Sequence, residues 1–525
     1  MVILKIFLDL LNILIKKNIF FFILLFTGLT TIFSFPKKDT TPNKSTTETQ
    51  LQTIRIIDTN IIENEFSFIN NMAARLKQQI VNMPDTLSNS SGITFYVSSI
   101  NGNDRNNGLS PGRALKTPSL ATEKANNSRK SCTILFERGS VFRGNFRIWP
   151  RKNEHYSYGA YGTGPKPEFY GSLLNYASSS WNSNTASPNL WICNTEISND
   201  PGIIVFNEGE NVGIKKFNLS ELKTNFDFYY DRSLKRVYLY CTNNPANFFN
   251  SIEIGQAWVD VKEWGSSSVN DKLLSIIAIP DSSSNITIEN LSIKYGGAHG
   301  IAGQDLSNVT IRGCEFNWIG GGIYEEDFSD NVRYGNGIEF WNSCENIIVE
   351  NCYFNQIYDA ALTHQGDRIS NISNNVTYKN NLMEYCNYSI EYFQRQADAL
   401  MSNILIEGNI MRFAGYGWGY QRPDKGHDAH IKSWAHYNRS SNFIIRNNIL
   451  DTARTQLFDI RLNLSLSGTS LPVLSKNIYS QTINGLCGTW GSNRRNRETI
   501  IQFTQEDLEI IDTDPTILTS YFDFK

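Results

Sequence analysis

An all-β chain wound as a stack of parallel coils is expected from three features of residues 285–450. Six segments share one layout: Asn285-Ile286-Thr287-Ile288, Asn308-Val309-Thr310-Ile311, Asn346-Ile347-Ile348-Val349, Asn375-Val376-Thr377-Tyr378, Asn403-Ile404-Leu405-Ile406 and Asn442-Phe443-Ile444-Ile445. The positions one, three and eight after each Asn are apolar or aromatic in all six, the eighth being Ile293, Phe316, Phe354, Met383, Met411 and Leu450. This period-two alternation points those side chains to one face of a strand. Five positions after each Asn stand only Asn or Gly: Asn290, Gly313, Asn351, Asn380, Gly408 and Asn447. These two residues tolerate a left-handed backbone, so a bend recurs there. The repeats are 23, 38, 29, 28 and 39 residues long, which suits one coil of a parallel β-solenoid with insertions in the longer turns. Each coil then stacks about 4.8 Å from the next.

The elements follow in chain order. Residues 1–38 read as a targeting segment, in which Lys16 and Lys17 precede an apolar run reaching Phe35. The run is about long enough to span a bilayer, and the flanking lysines argue for a cytoplasmic start. It is either an uncleaved signal anchor, which would make the membrane a partner, or a signal peptide with a long leading region. Either way the body is exported: periplasmic, cell-surface or secreted. Residues 39–92 are a Thr-rich tether followed by a helix over 58–82, where Ile61, Phe68, Met72, Leu76 and Ile80 recur at helical spacing. That helix is a cap for an exposed solenoid end or a stalk. Residues 93–171 hold the first coils, 172–280 a small β-rich insert, 281–465 the central coils, and 466–525 a terminal cap with a short helix near 505–511.

Composition narrows the function. The chain has 525 residues, a net charge of -3 and a pI near 6.1, which excludes a basic nucleic-acid surface. None of the eight cysteines forms a CxxC pair, so a zinc site is not expected. Cys314 and Cys352 occupy one column, six positions after the repeat Asn, as a disulfide or as two small buried thiols. Aromatic residues make up 12% of the chain, which tilts the reading only slightly toward sugar-ring stacking.

Three further stretches carry a family likeness: Phe95-Tyr96-Val97-Ser98 with Asn101-Gly102-Asn103-Asp104 and Gly108-Leu109-Ser110-Pro111; Arg138-Gly139-Ser140-Val141-Phe142-Arg143-Gly144; and Gly159 to Pro167. With the coils, they make residues 93–490 resemble the right-handed parallel β-helix proteins of the pectate-lyase-like superfamily. The resemblance implies that fold, and a polysaccharide bound along a groove beside the third strand of each coil. It does not choose among lyase, hydrolase, epimerase and binding protein.

The third strand places Ile301, Ile338, Leu362, Ile390, Ile431 and Phe458 inward. Ala302, Glu339, Thr363, Glu391, Lys432 and Asp459 follow, pointing outward, and then Gln304, Trp341, Gln365, Phe393, Trp434 and Arg461. Long insertions flank this strand and would wall a cleft, among them the acidic run Tyr324-Glu325-Glu326-Asp327 and the segment 414–429. Candidate catalytic residues are Glu391, Lys432, Glu339, His430 and His364. Candidate substrate-binding residues are Trp341, Trp434, Tyr416, Trp418, Tyr420, Arg395, Arg422, Arg461, Asp459 and His427.

Three reactions compete for that face. In β-elimination from an acidic polysaccharide, the preferred reading, Lys432 acts as base or charge clamp with His430 or His364 as alternative base. Arg395, Arg422 and Arg461 then clamp carboxylates. In inverting hydrolysis, Glu339 and Glu391 stand two coils apart, roughly 9.6 Å, near the upper end of the expected 6.5–9.5 Å or so. An epimerase needs a second proton donor such as Tyr420 or His427. A non-catalytic glycan-binding surface protein is the other class. No multi-Asp calcium site is visible, and a divalent cation such as calcium stands only as an optional cofactor.

Overall fold

The computed structural model describes residues 59–87, 92–150, 153–184, 187–257, 259–261, 271–273, 275–323, 332–422, 427–436, 439–462, 471–481, 486–490, 493–496 and 516–519. The expected targeting segment and tether, the acidic run at 324–327 and the helix at 505–511 lie outside them. Among the described residues no helix is long and apolar enough to cross a membrane.

The coils stack as a parallel β-helix, the fold that the resemblance implied. Each coil contributes one strand to each of three columns. The first column pairs Ile286, Val309, Ile347, Val376, Ile404 and Phe443 in parallel register. The second pairs Ile293, Phe316, Phe354, Met383, Met411 and Leu450. The third pairs Ile301, Ile338, Leu362, Ile390, Ile431 and Phe458. All eighteen side chains are buried in one core, where for example the rings of Phe316 and Phe354 stack at 4.7 Å.

The backbone turns at three recurring positions. The residues five after the repeat Asn have φ between 53° and 66°, as their identities predict. The repeat Asn residues are left-handed as well, with φ of 53–58°, and they link side chain to side chain along the exterior, Asn285 to Asn375 as one run and Asn403 with Asn442 as another. A third left-handed column, ten residues after the Asn, holds Tyr295, Trp318, Gln356, Tyr385, Phe413 and Thr452. Nothing in those side chains favours a positive φ; packing at the corner between the second and third columns imposes it.

Six positions after the repeat Asn, Asn381, Asn409 and Asn448 form a buried ladder that Asn477 of the next coil continues. Each amide donates across the corner to a main-chain carbonyl, and the first three also donate to the next Asn in the stack. The same column holds Cys314 and Cys352 as free buried thiols.

Two of the described helices pack against the coils. Helix α1, Thr59–Val81, buries Ile69, Ala73, Leu76 and Ile80 against Tyr353, Leu382, Ile410 and Ile449 of four successive second-column strands. It is therefore a strap along the flank of the stack, not the cap expected from sequence. Its buried stripe also differs, since Phe68 and Met72 are exposed. Helix α2, Pro118–Ser128, fills the first coil instead, with Ala121 and Ala125 in the main core beside Val97 and Ile134.

The insert grows from the corner between the second-column strand Glu168–Tyr170 and the third-column strand Ser275–Ala278. Two small sheets, of four and five strands, form its body. It has its own core around Phe206, Phe228 and Leu239. The expected insert span of 172–280 thus took in one strand that belongs to a coil.

Candidate functional site

Arg147, Ala278, Ala302, Glu339 and Glu391, from the outward row of the third column, stand on the floor of a cleft of about 940 Å³. Arg147, Ala278, Ala302, Glu339, Thr363, Glu391, Lys432 and Asp459 succeed one another in parallel register. Gln304, Trp341, Gln365 and Phe393 form the next row. That row stops at Phe393, because the strand Ala429–His436 carries an extra residue: Glu391 pairs with Lys432, but Gln394 pairs with His436. A bulge of this kind re-aims side chains at sheet sites, and here Trp434 is turned so that its indole N–H donates to Glu391 Oε1. The expected row through Trp434 to Arg461 is therefore broken; the Arg461 side chain lies outside the description.

Glu339 and Glu391 both line the cleft, and their surroundings differ in sign. Burial raises the Glu339 pKa, but the opposing pull of His299 and a hydrogen bond from Asn336 outweigh it, so the carboxyl titrates below its ordinary value. His299 Nδ1 lies 2.9 Å from Glu339 Oε2, and Asn336 Nδ2 donates to that oxygen at 2.8 Å. The same Nδ1 is 3.1 Å from the Asn336 main-chain N–H. Both contacts meet on this one ring nitrogen.

For Glu391 the balance is reversed. Burial and the neighbouring Asp359 carboxylate push its pKa up to about 8, against the Trp434 hydrogen bond and the charges of Arg422 and Lys432. Asp359 is itself held by Arg422 at 2.7 Å. Between the two glutamates, Thr363 is fully buried and its hydroxyl has no hydrogen-bond partner in the structure.

The remaining candidates divide clearly. Trp341, Trp434 and Arg395 line the cleft with Trp149, Tyr334 and Phe393. Lys432 is fully buried and ion-paired to Asp459, which is equally buried; its ammonium sits 4.0 Å from the Trp434 ring centre. Neither residue reaches the cleft, so Lys432 as base and Asp459 as a substrate contact are corrected.

His364 and His430 are corrected too. His364 is enclosed by the rings of Tyr378 and Tyr392, and burial drives its pKa down to about 3. His430 bonds Ser389 and the Asp451 carbonyl, and burial likewise lowers it to about 3. Trp418 is buried against Tyr358, with its indole N–H on the Gln356 carbonyl. Tyr416 and Tyr420 flank Arg454, away from the cleft lining. His427 contacts the Trp434 ring at 5.4 Å, and Arg422 is tied to Asp359.

Sequence reasoning missed His299, Asn336, Asp359, Trp149 and Arg147 as cleft residues. Asn336 and Asp359 precede their strands by two residues and one residue, where no period is available to flag them. Among the described residues no three His, Cys, Asp or Glu side chains converge as a metal site.

No protein-family model matches the chain, and neither does any curated protein. Among solved structures it is similar to a glycoside hydrolase, at 10% identity over 77% of this chain and 96% of that one, with a TM-score of 0.46. It is also similar to XylC in complex with xylose (12%, 77% and 73%, 0.42) and to an alginate lyase from Paenibacillus sp. (9%, 77% and 97%, 0.35).

Proposed function

We propose that this protein is a carbohydrate-active enzyme that hydrolyses a polysaccharide lying along the cleft, with inversion at the sugar carbon. The observation that carries the reading is the pair Glu339 and Glu391. They share one face two coils apart, and their environments push their titrations in opposite directions. Carboxyls separated in this way divide into acid and base. Glu391 holds a proton at neutral pH and gives it to the departing glycosidic oxygen. Glu339, ionised, takes a proton from a water on the other side of the ring. The roughly 9.6 Å of two coil spacings leaves room for that water, at the wide end of the inverting range.

Burial of Lys432 against Asp459 weighs against β-elimination, which needs an accessible base and a clamp on the carboxylate. Incubation with polysaccharides, followed by reducing-end assay and ultraviolet absorbance, tests the choice. Hydrolysis yields reducing ends without the absorbance of an unsaturated uronate, and proton NMR shows the inverted anomer first. Appearance of that absorbance would return the reaction to elimination.

A further inference from the structure

The cleft's charge bears on what it admits. We infer that the chain it takes is an electrically neutral glycan and not a polyuronate; this rests on the reading of the cleft as a glycan site. A polyuronate repeats a carboxylate on every sugar, so its groove must offer cations that are not already satisfied. Along this floor the cations are answered from within. Lys432 is closed by Asp459 and Arg422 by Asp359. Arg395 reaches the cleft with Asp367 3.9 Å away, and Arg147 lies over the Trp149 ring.

The described lining holds the carboxyl groups of Asp281, Glu339, Asp359, Asp367 and Glu391 against the guanidinium groups of Arg147 and Arg395. Asp359 is answered by Arg422 and Glu339 by His299, which leaves Asp281 and Asp367 against Arg147 and Arg395, so the lining offers a polyanion no surplus of positive charge. A substrate carboxylate placed over the Glu339–Glu391 stretch would meet like charge in a partly buried site, where screening is weak.

The rest of the lining suits uncharged rings. Trp149, Tyr334, Trp341, Phe393 and Trp434 offer apolar faces, and Gln304 and Gln365 offer amides for hydroxyl groups. From Arg147 to Glu391 the floor runs five coil spacings, about 24 Å, so several sugars lie on it at once.

The test is binding, separated from turnover. The full chain carrying Glu391→Gln is applied to arrays of matched oligosaccharides: galactose with galacturonate, glucose with glucuronate, and mannose with mannuronate oligomers. Retention of a neutral member at least tenfold above its uronate counterpart is expected. The double variant Asp281→Asn, Asp367→Asn should raise the ratio of uronate to neutral retention about two- to fivefold at low salt. A uronate oligomer held more tightly than its neutral partner, and released by salt, overturns the inference and leaves the glycan cleft standing. Retention of neither class removes the glycan cleft, and the inference falls with it.

Discussion

Glu391 concentrates the chemistry in one side chain. Replacing it with Gln keeps the shape and the indole contact but removes the proton, so turnover should fall about 10²–10⁴-fold in a reducing-end assay. Stability should move the other way. In the unfolded chain this carboxyl ionises near 4.5, whereas in the folded chain it keeps its proton up to about 8. Between those values the unfolded state binds fewer protons, so folding stability declines as pH rises. Thermal melts of Glu391→Gln should lack that part of the decline.

Trp434→Phe removes a hydrogen bond that favours the ionised form, so the alkaline limb of the kcat/KM profile should move to higher pH. A limb that stays in place or moves down would detach Trp434 from the titration. Lys432→Ala is a different kind of change. It leaves Asp459 charged and fully buried, at a cost of about 3–5 kcal/mol. Its loss of activity should track a lowered melting temperature, as urea titration would show.

The corner between the first and second columns shows how an element repeats. Its left-handed Asn or Gly was legible because few residues accept that backbone. The Asn ladder behind it was legible only as a run of small and amide side chains; the partners became visible when the coils stacked. Asn409→Ala should strand the Tyr378 carbonyl and weaken the hold on Asn381. Each group left without a partner costs about 1–3 kcal/mol, and a denaturant midpoint shift measures the sum. The third left-handed column could not be read from sequence at all, because Tyr, Trp, Phe and Thr carry no such preference. There the demands of turning the chain override those of the residue.

In the molecule as a whole, Asp200 joins the insert to the coils: inside the insert it forms a buried pair with Lys215 at 2.5 Å, each about 2% exposed. Asp200 also accepts the Ile323 main-chain N–H from the neighbouring hairpin. Asp200→Ala should therefore cost about 3–5 kcal/mol and, in hydrogen exchange, loosen the insert before the coils. An exchange pattern unchanged in the insert would mean that Asp200 is not what holds it. Helix α1 makes a related point. Its existence followed from apolar spacing, but the stripe Ile69, Ala73, Leu76, Ile80 and not Phe68 and Met72 faces the sheet, a rotation that only the receiving surface sets.

What the amino acids alone determined is the coil. Strand alternation, Asn and Gly bends and the pairing of all eighteen core positions are local and repeated, so each repeat restates the same constraint. The row Ala302, Glu339, Thr363, Glu391, Lys432 and Asp459 followed from the same register. Which members of that row meet solvent was decided by tertiary structure. One added residue in a strand turned Trp434 toward Glu391, Asp459 closed over Lys432, and His299 from the start of one strand and Asn336 from the segment before the next came together on Glu339. Burial and charge pairing depend on neighbours brought together across coils, and no spacing along a single chain records them.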